Sequence, residues 1–121
     1  MVNIEEKIKE KVEANKKNRK IKLITTTQLR VLLSNAVIIK NKIQMGNTNG
    51  KDELSEKLQS EIRYLLIKHI YQCGRDGAVK DFDKDFEISN EIKKIGKSAK
   101  KFDKFYRYLE EIVAYVKYYV G

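Results

Sequence analysis

Apolar residues recur along this chain at intervals of three and four and nowhere alternate one in two, so the pattern is helical throughout. Proline is absent, which removes the commonest helix breaker. The first clear helix is predicted to start near Thr26, where Thr25 and Gln28 have capping-box spacing, and to bury Leu29, Leu32, Leu33, Ala36, Ile39 and Ile43. Gly46-Asn47-Thr48-Asn49-Gly50 ends it as a flexible loop. A second helix is expected over 52–73, with Leu54, Leu58, Ile62, Leu65, Leu66, His69 and Cys73 on one face. Its other side carries Tyr64, Ile67 and Tyr71, with Arg75 one turn on, so it reads as the central helix. Gly74 and Gly77 cap or kink it before a third stretch containing Val79, Phe82, Phe86, Ile88, Ile92 and Ile95. Gly96-Lys97-Ser98 makes a break with Ser98 as N-cap, and a last helix over 99–120 puts Phe102, Phe105, Leu109, Ile112 and Val116 in one stripe.

Residues 1–22 are dense in charge and read as a basic N-terminal arm with a short helix, leaving 23–121 as a single helical domain. The fold expected is therefore all-α, a compact bundle of about five helices with no sheet. At 121 residues the chain can hold a modest core but no separate catalytic module.

Charge narrows the function further. The net charge is +9, which draws the chain toward polyanions. Five of the 26 basic residues are Arg and the rest are Lys, a balance suited to point-charge contact with phosphates rather than bidentate reading of bases. Lys97, Lys100, Lys104 and Arg107 fall opposite the apolar stripe of the last helix, where they form either a solvated face or a phosphate-binding one. Rings and cations interleave between Phe102 and Tyr119; most of the rings read as core, and the exposed tyrosines as interface or base-stacking groups. No apolar run approaches a membrane span and the first residues lack the apolar segment of a signal peptide, so the expected compartment is the cytoplasm, with no membrane partner.

Candidate chemistry is sparse. Arg63 and His69 have the Arg-x5-His spacing that resembles the ribonuclease motif of HEPN proteins, but on one helix they diverge by about 120° and His69 falls among core positions. Asp81, Asp83 and Asp85 alternate like the opening of a calcium loop, yet Phe86 stands where the loop needs Gly. One Cys and one His are too few for a structural zinc site, and Cys73 reads as a small core residue. The expectation is no catalytic residue, no metal and no cofactor.

Three segments in order carry a likeness: LITTTQLRVLL from Leu23, the IRYLL…IYQCGRD…VKDF helix and junction from Ile62, and KKFDKFYRYLEEIVAYVKYY from Lys100. Over roughly residues 23–120 the chain resembles the small subunit of the type III-A CRISPR-Cas interference complex, the Csm complex. That resemblance implies a non-catalytic helical subunit, stacked in several copies along the duplex of guide (CRISPR) RNA and target RNA. Its basic surface would track RNA backbone beside the backbone and large subunits of the complex. By motif position it points to Arg30, Arg75 and Lys80 as RNA-binding residues, and more loosely to Lys97, Lys100, Lys104 and Arg107. The departures from the family pattern lie at Gly46–Lys51 and Asp83–Asn90. A general nucleoid-type DNA-binding protein would share the charge but not the ordered segments.

Overall fold

The structure, a computed structural model, describes residues 3–46 and 52–121. Among these residues there are six helices and no sheet: α1 (Ile4–Lys17), α2 (Thr26–Met45), α3 (Glu56–Arg75), α4 (Gly77–Phe86), α5 (Ile88–Ile95) and α6 (Ala99–Tyr119). The all-α expectation holds, but the helix count is six rather than five. The loop expected over Gly46–Gly50 lies, from Asn47 onward, outside the described residues.

The sixth helix arises because the third predicted stretch is cut at Glu87. That residue takes φ 54° and ψ 40°, the left-handed region that costs a non-glycine residue about 1 kcal/mol or more. The bend lets Phe86 and Ile88, on either side of it, both enter the core. Asp83 secures the new start, accepting hydrogen bonds from the Ser89 backbone N–H at 2.8 Å and from the Ser89 hydroxyl at 2.9 Å.

Local starts form as their sequences dictate. Thr25 accepts from the Gln28 N–H at 3.2 Å while the Gln28 side chain accepts from the Thr25 N–H at 2.9 Å, a complete capping box on α2. Ser98 caps α6 through the Lys101 N–H at 3.2 Å. The start of α3 is later than its apolar spacing suggests, because Asp52–Leu54 is drawn into pairing with Lys97–Ala99. Leu54 N–H donates to the Lys97 carbonyl and Ala99 N–H to the Asp52 carbonyl, both at 2.8 Å. Leu54 is thereby buried, and Ser55 becomes the cap of α3.

The centre of the bundle is α6, not α3. It packs against α1, α2 and α5 and buries Phe102, Phe105, Tyr106, Leu109, Ile112 and Val116. By contrast α3 packs on α2, α4 and α5 along a single face of Ile62, Leu65 and His69. Its opposite side is left open, with Tyr64, Ile67, Ile70 and Tyr71 exposed. The short helix expected in the N-terminal basic segment is α1, and its Ile4 and Ile8 are buried against α6, with Tyr119 bonded to Glu5.

Candidate nucleic-acid interface

Helices α2 and α3 run antiparallel. Gln28 near the start of α2 bonds the Asp76 carboxylate at the end of α3, and Lys42 near the end of α2 pairs with Glu61 near the start of α3 at 2.5 Å. The start of α6 lies at the other end of α3, where the Lys100 N–H donates to Asp52 at 2.7 Å. A helix of 20 residues rises about 30 Å. The seven basic residues singled out from sequence therefore fall into two groups, one around the end of α3 and one along the first half of α6, which begins beside the start of α3.

Arg30, Arg75 and Lys80 belong to the first group, set around the start of α2, the end of α3 and the start of α4. Asp76 builds this corner. It terminates α3, caps α4 through the Ala78 N–H at 2.9 Å and receives Gln28 from α2. All three cations are exposed.

The segment linking α1 to α2 comes to the same end. Lys20 and Lys22 line a cleft of about 410 Å³ together with Gly77 and Asp81 of α4. Asparagines hold this segment in place. The Asn15 side-chain amide donates to the Ile21 carbonyl at 2.6 Å, the Asn18 side chain accepts from the Lys20 N–H at 3.1 Å, and Arg19 donates to Asn15 at 3.1 Å. Lys16, Lys17, Arg19, Lys20 and Lys22 are all exposed, and Lys16 is held by Glu13 at 3.3 Å. Lys20 and Lys22 therefore extend the Arg30, Arg75 and Lys80 group. Sequence reading had found their charge but not their place.

Lys97, Lys100, Lys104 and Arg107 form the second group, along the first half of α6. They too are exposed, but their surroundings are mixed. Asp103 pairs with Arg107 at 3.0 Å, and Lys104 borders a cleft lined by Lys94 and Lys101 as well as by Glu87, Glu91 and Glu111.

Most rings of α6 belong to the core, as its sequence implies. Tyr106 is buried, with the Lys40 ammonium 4.5 Å from its ring centre. The Tyr108 hydroxyl donates to the Phe86 carbonyl at 2.8 Å, and burial, then the charges of Glu91, Glu87 and Glu111, push it up to about 12. Only Tyr118 of the α6 tyrosines is mostly free. The exposed alternation of rings and cations runs instead along α3: Lys68 lies 4.8 Å from the Tyr64 ring centre and Arg75 lies 5.7 Å from that of Tyr71. The spacing of Tyr64, Lys68, Tyr71 and Arg75, by four, three and four, was the available signal. Beside this row, Val31 and Ile38 of α2 and Ile67 and Ile70 of α3 leave a long apolar face exposed.

The alternative chemistry does not assemble. Arg63 is exposed, whereas His69 is 4% exposed and bonds Asp83 at 2.8 Å, so the two do not share a cleft. Asp83 turns inward, Asp85 pairs with Lys11 at 3.1 Å and Asp81 faces solvent, so the three aspartates do not converge. No helix among the described residues is long and apolar enough to cross a membrane.

Comparison with known proteins agrees with the segments read from the sequence. The family model described as Csm2 Type III-A matches residues 3–121. The chain is 36% identical over 95 residues to the CRISPR system Cms protein Csm2 of Mycobacterium tuberculosis, covering 78% of this chain and 74% of that protein. It is 34% identical over 106 residues to the protein of the same name from Streptococcus thermophilus, covering 88% and 81%. With that of Enterococcus italicus it shares 33% over 99 residues, covering 79% and 68%. A family match over nearly the whole chain, on an all-helical bundle, establishes that this protein belongs to the Csm2 family of type III-A CRISPR systems.

Proposed function

We propose that this protein is a non-catalytic, RNA-binding structural subunit of a type III-A Csm complex, stacked in several copies along the guide RNA–target RNA duplex. The observation that carries this reading is the union, at one corner, of exposed cations from four separate elements: Lys20 and Lys22, Arg30, Arg75 and Lys80. Cations brought together from distant parts of the chain repel one another, and a polyphosphate backbone relieves that repulsion. Lysine predominates, so the contact follows the backbone and is indifferent to base identity. Tyr71, exposed and with the Arg75 guanidinium 5.7 Å from its ring centre, adds a ring that can lie against an unpaired base.

The apolar face of α2 and α3 supplies the second requirement, contact with neighbouring proteins. Val31, Ile38, Tyr64, Ile67, Ile70 and Tyr71 are each about half exposed or more, and a contiguous exposed apolar surface of this kind marks a protein interface. A contact between unlike surfaces of successive subunits repeats without closing, so RNA length sets the number of copies. Complexes rebuilt on guides of two lengths and weighed by native mass spectrometry test this. The copy number of this chain rises with the longer guide; a number that stays fixed refutes the stacking.

A further inference from the structure

The fold brings together three potential metal ligands that the sequence keeps apart. His69 and Cys73 are one turn apart on α3, and Asp83 reaches them from α4; one ligand atom of each lies within 4.8 Å of the others. Counting cysteines and histidines gave two soft ligands and led to the expectation of no metal. Asp83 is the third ligand, and only the packing of α3 on α4 reveals it.

One edge of this cluster already has the length a tetrahedral ion requires. Zinc–nitrogen and zinc–sulfur bonds of about 2.1 and 2.3 Å at a tetrahedral angle require an N···S separation of about 3.6 Å. The His69 Nε2 to Cys73 Sγ distance is 3.6 Å. The same nitrogen lies 2.8 Å from Asp83 Oδ1, against about 3.3 Å in a zinc site, so a shift of about 0.5 Å opens the position. Asp83 Oδ1 is also anchored by the backbone N–H and hydroxyl of Ser89, which fixes the orientation of the carboxylate.

We propose that His69, Cys73 and Asp83 form a binding site for a borderline-soft divalent cation of the zinc class, with water completing the tetrahedron. Binding releases the thiol proton, moves the His69 Nε2 proton to Nδ1 so that Nε2 can ligate, and replaces the His69–Asp83 hydrogen bond by two metal bonds. The ion would clamp α3 to α4 across the Gly74–Gly77 turn, immediately beneath Arg75 and Lys80. The site does not depend on the RNA-binding reading.

Cobalt(II) serves as the probe. The full-length protein, freed of metal by chelation, is titrated anaerobically and followed in the near-ultraviolet for sulfur-to-cobalt charge transfer and in the visible for tetrahedral ligand-field bands. Both sets of bands saturate at about one equivalent, disappear on adding zinc, and the charge-transfer band is absent in Cys73→Ser. Absence of the charge-transfer band in the wild type, or cobalt uptake that is unchanged in Cys73→Ser, places any bound ion elsewhere and overturns the proposal. Should Cys73→Ser fail to fold by circular dichroism, the wild type alone decides: zinc slows modification of Cys73 by a thiol reagent at least about tenfold, and an unchanged rate is equally fatal.

Discussion

Neutralising Lys20, Lys22 and Lys80 together, by substitution with Gln, is the perturbation that most directly separates the two basic groups. These side chains are exposed, so each change alters stability by less than about 0.5 kcal/mol and any loss of binding is not a loss of fold. For single-stranded RNA each phosphate contact contributes about 0.7 to the slope of log affinity against log salt, so three lost contacts flatten the slope by about 2. Extrapolated from a 1 M reference to about 0.15 M salt, that difference is roughly 50-fold in affinity. Fluorescence anisotropy with a labelled oligonucleotide at several salt concentrations measures both quantities. The matching triple variant at Lys97, Lys100 and Lys104 is the comparison. Its effect is smaller, because the RNA contact is assigned to the corner around Asp76. An unchanged slope in the first variant, or a larger loss in the second, refutes the assignment of the interface to the corner around Asp76.

Three further outcomes follow from the packing. Ile67→Glu, on the open face of α3, leaves the urea midpoint of the isolated chain nearly unchanged but prevents its incorporation into a rebuilt complex; normal incorporation would free this face of any role in assembly. Leu109→Ala, at a fully buried position of α6, costs about 2–5 kcal/mol in urea unfolding, and a loss below about 1 kcal/mol would contradict the central place given to that helix. Asp83 governs acid sensitivity: burial pushes its carboxyl up, but hydrogen bonds from the Ser89 N–H, the His69 ring and the Ser89 hydroxyl outweigh this and hold it below the usual carboxylate range. With the folded value below the unfolded one of about 3.9, its stabilisation is complete above that pH and lost as pH falls through the folded value. Wild type is therefore more stable than Asp83→Asn at pH 6, and the gap narrows at pH 4 and again at pH 3; a constant gap in urea midpoints would show that the carboxylate charge is not involved.

How much of this fold was legible depended on the range of the interaction involved. The capping box of Thr25 and Gln28, the Ser98 cap and the buried stripe of α6 are set within a turn or two of chain, and each forms as its sequence implies. The break at Glu87 carries neither glycine nor proline. It is imposed by the burial of Phe86 and Ile88 and by a capping carboxylate that also serves His69 of another helix. The late start of α3 likewise comes from pairing of Leu54 with Lys97, 43 positions along the chain. At the other extreme, Ile4, Ile8 and Val12 recur every four residues in α1, a signal present in the sequence but masked by the charges between them.

The same distinction governs the site. Arg30, Arg75 and Lys80 were reached through motif order, and the apolar reverse side of α3 was visible as Tyr64, Ile67 and Tyr71 with Arg75 beyond. What periodicity cannot supply is the direction in which helices pack. The antiparallel pairing of α2 and α3, fixed by Gln28 with Asp76 and Lys42 with Glu61, gathers Arg30, Arg75 and Lys80 at one corner, while the start of the α6 stripe lies at the opposite end of α3. Lys20 and Lys22 join that corner because Asn15 and Asn18 fold the link between α1 and α2 against α4. Charge is additive along a sequence, but electrostatic potential depends on three-dimensional proximity. The basic face of this protein is thus a property of its turns, whereas its core is a property of its helices.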